Sequence, residues 1–247
     1  MYAWLGLLRS LAIYYGVPFR RRRMRAFYAP LIKPGDLCFD VGSHVGNRIA
    51  VWRGLGARVV AFEPQPLFMR FLQVAYGRNP HVILSSQAVG AHATTKQLLI
   101  SKRHPTVTTL SSEWIETVQQ EEGFTSVEWD SQVEVMVTTL DALIAEYGRP
   151  AFCKIDVEGF ELEVLKGLSQ PLSALSFEYI PAALPLAHQC IDRLETLGRY
   201  QYNWSLAETH RWQEARWVTA AEMHQRLKAV TQSGRSGDIY ARLEVMG

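Results

Sequence analysis

Apolar residues in this chain arrive in short runs punctuated by glycine, proline and carboxylates. Leu37, Cys38, Phe39 and Val41 form a run without helical spacing, as a strand buried on both faces requires. Ile49, Ala50, Val51 and Trp52 begin a helical pattern, so Asp36–Asn47 reads as strand, glycine turn and helix. Arg58–Phe62 predicts a second strand. Pro64 and Pro66 then break the chain, and Leu67, Phe68, Phe71, Leu72 and Ala75 share one face of a second helix. His81–Ser86 predicts a third strand, with Gln87–Gly90 at its carboxyl end. Strands alternating with helices in this way predict a parallel sheet with right-handed crossovers. Ligands bind outside the carboxyl ends of such strands.

The alternation is interrupted between Gln97 and Asp130. Leu98–Ile100 reads as a strand, Thr106–Ser112 is rich in hydroxyls, and Gln119–Gly123 reads as a solvated loop. An insertion at this point lies near the ligand crevice and is expected to cover the substrate. Val133, Val135 and Val137 alternate with polar residues, as an edge or half-exposed strand does. A helix from Thr139 to Tyr147, a fourth core strand Ala151–Val157, a helix Gly159–Leu168, a fifth strand Leu175–Tyr179 and a helix Ala187–Leu197 follow. Tyr200–Trp204 and Asp238–Leu243 read as an antiparallel pair at the sheet edge. Between them Thr219 and Glu222 form a capping box for a helix to Val230, and Ser233–Gly237 reads as a flexible turn.

The 247 residues, 48% of them hydrophobic, suffice for one large α/β domain, taken as residues 33–247. A formal charge of +2 gives no basis for nucleic-acid binding; the arginines concentrate at Arg20–Arg23 and Arg25. Cys38, Cys153 and Cys190 are widely spaced without a CxxC, which reads as buried free thiols in a reducing, cytoplasmic compartment. Residues 1–32 form an amphipathic and basic segment. Trp4, Leu8, Leu11 and Tyr15 fall on one helical face, too short to span a bilayer and lacking a cleavage site. A helix packed on the domain is the favoured reading. The alternative is an interfacial anchor in which residues 1–25 contact the inner face of an anionic membrane.

Candidate chemistry sits at the strand ends. Neither GxGxxG nor GxxxxGK[ST] occurs, so the glycine turn is not patterned for phosphate. In D-x-G-x-x-x-G the Asp40 carboxylate repels a pyrophosphate and attracts an ammonium or sulfonium, while Glu63 closes the second strand where a doubly wound sheet places an acid on ribose hydroxyls. A cationic amino-acid head and a ribose without phosphate describe S-adenosylmethionine. A second constellation, Lys154-Ile-Asp156-Val-Glu158-Gly-Phe-Glu161, delivers Asp156 at the end of an apolar strand. Glu158 and Glu161 stand where a helix start favours acids, and are either site or capping residues. Glu178 closes the next strand. Paired carboxylates can hold a metal or act as general base on a hydroxyl; no metal is assigned. His104 is another candidate base, more simply read as a surface loop histidine.

These residues carry a resemblance to the FkbM family of methyltransferases, in Asp40-Val-Gly-Ser-His-Val-Gly-Asn47, Ala61-Phe-Glu-Pro-Gln-Pro66, Thr139-Leu-Asp141 and Lys154–Glu161, continued by Glu163–Gly167. It covers roughly Lys33 to Leu243; Ser43-His44 departs from the alanine and asparagine more usual in the turn. The resemblance implies a Rossmann-like class I methyltransferase fold, a mostly parallel seven-stranded sheet with helices on both faces. It implies S-adenosylmethionine as donor and a hydroxyl of a sugar, glycolipid or secondary metabolite as acceptor. By position, Asp40, Gly42 and Gly46 hold the methionine part, Glu63 the ribose, and Gln87 and Ala88 lie near the adenine. Ser43, His44, Asn47 and Pro64 complete the expected cofactor-binding set. Asp156 and Glu158 are the catalytic candidates by placement, on a small-molecule or glycan acceptor. Two other classes stay open: a nicotinamide-dependent oxidoreductase on a similar sheet, and a non-catalytic cofactor-binding adaptor at a membrane.

Overall fold

The computed structural model describes residues 2–17, 19–121, 124–230 and 234–244, with side chains from residue 6 onward. Helices α1 (Tyr2–Tyr15) and α2 (Arg20–Tyr28) precede β1 (Leu37–Val41), α3 (Asn47–Gly54), β2 (Arg58–Phe62), α4 (Pro66–Tyr76) and β3 (Val82–Ser85). The short β4 (Ala88–Val89), β5 (Thr94–Ile100), α5 (Ser112–Val118) and β6 (Ser131–Thr138) interrupt the series. It resumes with α6 (Leu140–Tyr147), β7 (Phe152–Ile155), α7 (Glu161–Lys166), β8 (Ala174–Tyr179), α8 (Leu184–Leu197), β9 (Tyr200–Leu206), α9 (Ala220–Val230) and β10 (Gly237–Leu243).

Seven of the strands form one sheet in the order β3-β2-β1-β7-β8-β10-β9. Only β10 runs against its neighbours, pairing antiparallel with both β8 and β9. This is the Rossmann-like class I methyltransferase arrangement that the resemblance implies. Alternation along the strands sends Phe39, Val41, Cys153 and Ile155 to a core beneath α6, α7, α8 and α9. The intervening Cys38 and Phe152 go to a second core under α2, α3 and α4, filled by Tyr28, Trp52 and Tyr240. Burial of both faces explains the continuous apolar runs, and all three cysteines are free and buried.

Boundaries move where special backbone is needed. Pro66 opens α4 rather than breaking the chain, since a first-turn residue has no N–H to donate. β7 ends at Ile155 and α7 starts only at Glu161, because Glu158 (φ 51°) and Gly159 (φ 87°) take left-handed conformations between them. Thr219 and Glu222 exchange the reciprocal bonds of a capping box. Ser233, with Glu122 and Gly123 of the expected loops, lies outside the described residues.

The alternating valines form a half-exposed strand, as their pattern predicts: β6, the middle strand of a separate three-stranded sheet, β4-β6-β5. That sheet has its own small core of Ala88, Leu98, Val135 and Val137 and leaves Met136 outside. The N-terminal helix does pack on the domain, but with a rotated face. Leu7 is buried against Val45 and Phe68, with Leu11 and Tyr14 beside it, whereas Leu8 and Tyr15 are largely exposed. The partner surface, not the widest apolar stripe, chooses the face; the side chain of Trp4 lies outside the described residues.

Candidate active site

A cavity of about 240 Å³ opens at the carboxyl ends of β1, β2 and β7. Two loops meet at its floor. Gly42 has φ 83°, and a Cβ there would come 1.8 Å from the Asp156 carbonyl oxygen, so the first glycine of the turn permits β1 and β7 to release their loops side by side. Gly46 caps α3 with φ 70°, where a Cβ would press on Tyr76 and Leu72.

Of the expected donor set, Gly42, His44, Glu63, Pro64, Gln87 and Ala88 line the cavity. Asp40, Ser43, Gly46 and Asn47 stand behind it as the frame of the turn. Ser43 Oγ donates to the Asp40 carbonyl at 2.7 Å. The Asp40 carboxylate is buried, and neither oxygen has a hydrogen-bond partner among the described residues. Burial raises its pKa to about 7, against the pull of Arg48 and Lys154. Glu63 accepts the His44 N–H at 2.7 Å and the Gln65 N–H at 2.9 Å. Its pKa is likewise raised to about 7 by burial. Two accepted bonds leave carboxylate lone pairs for a ligand's hydroxyls. His44 lies between Tyr14 and Phe68, ring centroids 5.4 and 4.2 Å away; burial lowers its pKa to about 4, so it is neutral.

The opposite end of the cavity is built on charge. Fully buried Lys154 donates to Asp238 Oδ1 at 2.7 Å and Asp156 Oδ2 at 3.0 Å. Arg48, on the first turn of α3, lies 3.3 Å from Glu208, 3.8 Å from Asp238 and 4.0 Å from Asp156. Burial pushes the Asp156 carboxyl up, but Lys154 and Arg48 outweigh it and hold the pKa below the usual range. Glu158 and Glu178 are both pushed well above the usual range, by burial first; Asp156 and Glu161 push Glu158 further and Glu158 and Asp156 push Glu178 further, and the pull of Lys154 does not outweigh them. Asp156, Glu158 and Glu178 each offer an oxygen, all within 4.8 Å of one another, a geometry able to hold a cation.

Glu161 turns out to be a brace. It is buried, and its Oε1 accepts the N–H groups of Val157 and Gly159. Glu158 makes no such bond, lines the cavity, and has its carbonyl held by Thr109 at 2.6 Å. Gly159 leaves room for Trp114 of α5, whose ring a Cβ there would overlap. The insertion docks through that contact, and Leu98, Pro105, Thr106, Thr108, Thr109 and Leu110 wall the cavity. His104 does not line it; it faces Arg9 at 3.5 Å. Sequence reasoning missed Arg48, Glu208, Asp238 and Tyr14 as lining residues. The only available signal was register: Asp238 stands opposite Glu178 once β10 pairs with β8.

A glycine turn without a phosphate pattern, an acid closing β2 and a carboxylate-rich far end thus share one cavity at the strand ends of a Rossmann-like sheet. The chain belongs to the Methyltransferase FkbM domain family, which matches residues 40–230. It is 29% identical over 148 residues to the hexuronic acid methyltransferase AglP of Haloferax volcanii, covering 58% of this chain and 54% of AglP. It is 31% identical over 160 residues to the 31-O-demethyl-FK506 methyltransferase FkbM of Streptomyces tacrolimicus, covering 56% of this chain and 61% of the relative. The chain thus spans between about half and two thirds of the length of these curated relatives. Among solved structures, an O-methyltransferase from Bacillus cereus in complex with SAH matches with TM-score 0.48 and 13% identity, over 97% of this chain and 90% of that one.

Proposed function

We propose that this protein transfers a methyl group from S-adenosylmethionine to a hydroxyl of a sugar or small secondary metabolite. The observation that carries the reading is the cavity lining: Gly42, His44, Glu63, Gln87 and Ala88 lead directly to Asp156, Glu158 and Glu178. The donor fits the residues present. The buried Asp40 carboxylate, without a hydrogen-bond partner among the described residues, puts acidic character directly behind the turn where an ammonium head would lie, and Glu63, which lines the cavity, suits a ribose. When bound, the donor supplies an electrophilic methyl on a sulfonium. The chain's own residues must then align and deprotonate the acceptor. Asp156, kept ionised between Lys154 and Arg48, is suited to orienting a hydroxyl; Glu158, whose pKa burial and Asp156 raise, is suited to taking the proton. The acceptor class follows the two relatives, whose names carry a hexuronic acid and 31-O-demethyl-FK506.

Calorimetry tests the donor: S-adenosylmethionine should bind and NAD should not, with Glu63→Ala weakening binding by an order of magnitude or more, about the worth of hydrogen bonds to a charged group. Tight NAD binding with no response to S-adenosylmethionine would sink the assignment. Transfer of labelled methyl into sugar and metabolite extracts identifies the acceptor.

No helix among the described residues is long and apolar enough to cross a membrane. Exposed Leu8, Ile13, Val17 and Phe19 precede the exposed Arg21, Arg22 and Arg23. We propose that this edge contacts an anionic membrane peripherally.

A further inference from the structure

We propose that α1 is the roof over the donor end of the cavity and that Tyr14 is a donor-positioning residue; this rests on the reading of the cavity as an S-adenosylmethionine site. The helix precedes the residues that match the family, yet it is fastened to both rims of the cavity. On one rim Leu7 is buried against Val45 and Phe68, and Tyr15 donates its hydroxyl to the Val45 carbonyl at 3.0 Å. Tyr76 meets the Tyr15 hydroxyl at 3.3 Å and donates to the Gly46 carbonyl at 3.1 Å, tying the same helix to the glycine turn. On the other rim Gly6 lies against Pro105 so closely that a Cβ would come within 2.8 Å of the proline ring. Pro105 itself lines the cavity, and its carbonyl accepts a bond from Gln65 at 3.0 Å. α1 therefore bridges the turn and the insertion, with the cavity beneath it.

Tyr14 projects from this roof into the cavity lining. Its ring meets the neutral His44 edge-on, and Phe68 backs the histidine from the far side. Burial raises the Tyr14 pKa, and the negative charge of Glu208 and Asp156 raises it further, so the phenol stays protonated and feels the charged floor. An aromatic face attracts a cation within about 6 Å of its centroid, and the attraction grows as water is excluded. A donor carrying both a sulfonium and an ammonium presents such a cation at this end of the cavity. The tyrosine face supplies attraction without adding to the surplus of carboxylates below.

The test is calorimetry of S-adenosylmethionine with the full chain. Tyr14→Leu, which keeps apolar bulk on the helix but removes the π face, should weaken binding about tenfold. Tyr14→Phe, which keeps the face, should stay near the wild-type affinity. Ala12→Ser, on the exposed side of the same helix, should leave donor affinity at the wild-type value. Gly6→Leu, which wedges α1 off Pro105, should speed donor release in stopped-flow displacement. Equal affinity of wild type and Tyr14→Leu overturns the proposal while leaving the donor assignment standing. A wild-type protein that binds no S-adenosylmethionine overturns the assignment itself.

Discussion

Lys154 and Asp238, 84 residues apart in the chain, meet as a 2.7 Å ion pair beneath the cavity floor. Lys154 is fully buried, so its charge is tolerated only because Asp238 and Asp156 both reach it. Lys154→Met would leave the two carboxylates facing each other with Arg48, 3.8 and 4.0 Å away, in place of the closer cation. Breaking a buried pair typically costs about 3–5 kcal/mol. The urea midpoint should fall accordingly at neutral pH, and less so in acid, where the stranded carboxylates take up protons. An unchanged midpoint contradicts the pairing.

Gly42 and Gly35 share a left-handed backbone, but a Cβ on Gly35 would meet nothing within 4 Å. Gly35→Ala therefore reports backbone strain alone, about 1–3 kcal/mol. Gly42→Ala adds a collision with the Asp156 backbone and should be the more destabilising in chemical denaturation. Equal losses would mean that the two loops separate easily.

Glu63 has a folded pKa of about 7, against about 4.3 in an unfolded chain. Between these values the folded protein holds the extra proton, so the contribution of Glu63 to stability declines as pH rises through the window. Glu63→Gln has no proton to lose there. The stability difference, variant minus wild type, should rise from pH about 4.5 to about 7 and run level on either side. A difference that falls across this window refutes the burial effect.

Glu158→Gln should lower methyl transfer by about two to four orders of magnitude with donor affinity little changed, if that carboxylate takes the acceptor proton. Asp156→Asn should raise the acceptor KM as well, because Lys154 and Arg48 lose the charge they hold in place. Wild-type turnover in folded, donor-bound Glu158→Gln excludes it as the base.

The exposed apolar edge of α1 and the arginines after it predict sedimentation of the protein with anionic liposomes, reversed by salt. Leu8→Ser together with Phe19→Ser should weaken that partition and leave donor binding intact. Partition equal to that with neutral vesicles removes the membrane from the account.

Much of the cavity wall beside β1 and β2 is legible in the sequence because its signals are local. A strand end, a glycine and an acid within a few residues place Gly42, Glu63 and Gln87 without knowledge of the rest of the chain. Arg48 carries no such local signal, since its meaning depends on Glu208, 160 residues on. Asp238 was read only as a strand residue, because its role needs the register with β8. Glu158 and Glu161 look alike in sequence and part company over backbone geometry: one follows the left-handed bend into the cavity, the other folds back to bind it. Tyr14 was hidden by a helix whose true contact face is fixed by the surface it covers.

β10 enters the sheet between β8 and β9, both of which precede it in the chain. A polypeptide emerging from the ribosome therefore makes β7, with its lysine, long before the aspartate that meets it. Until the tenth strand slots into its gap, Lys154 has only Asp156 and the sheet has a missing plank. Closure of the sheet and completion of the cavity floor are thus one event in time, and a nascent chain cannot acquire a finished site on an unfinished fold.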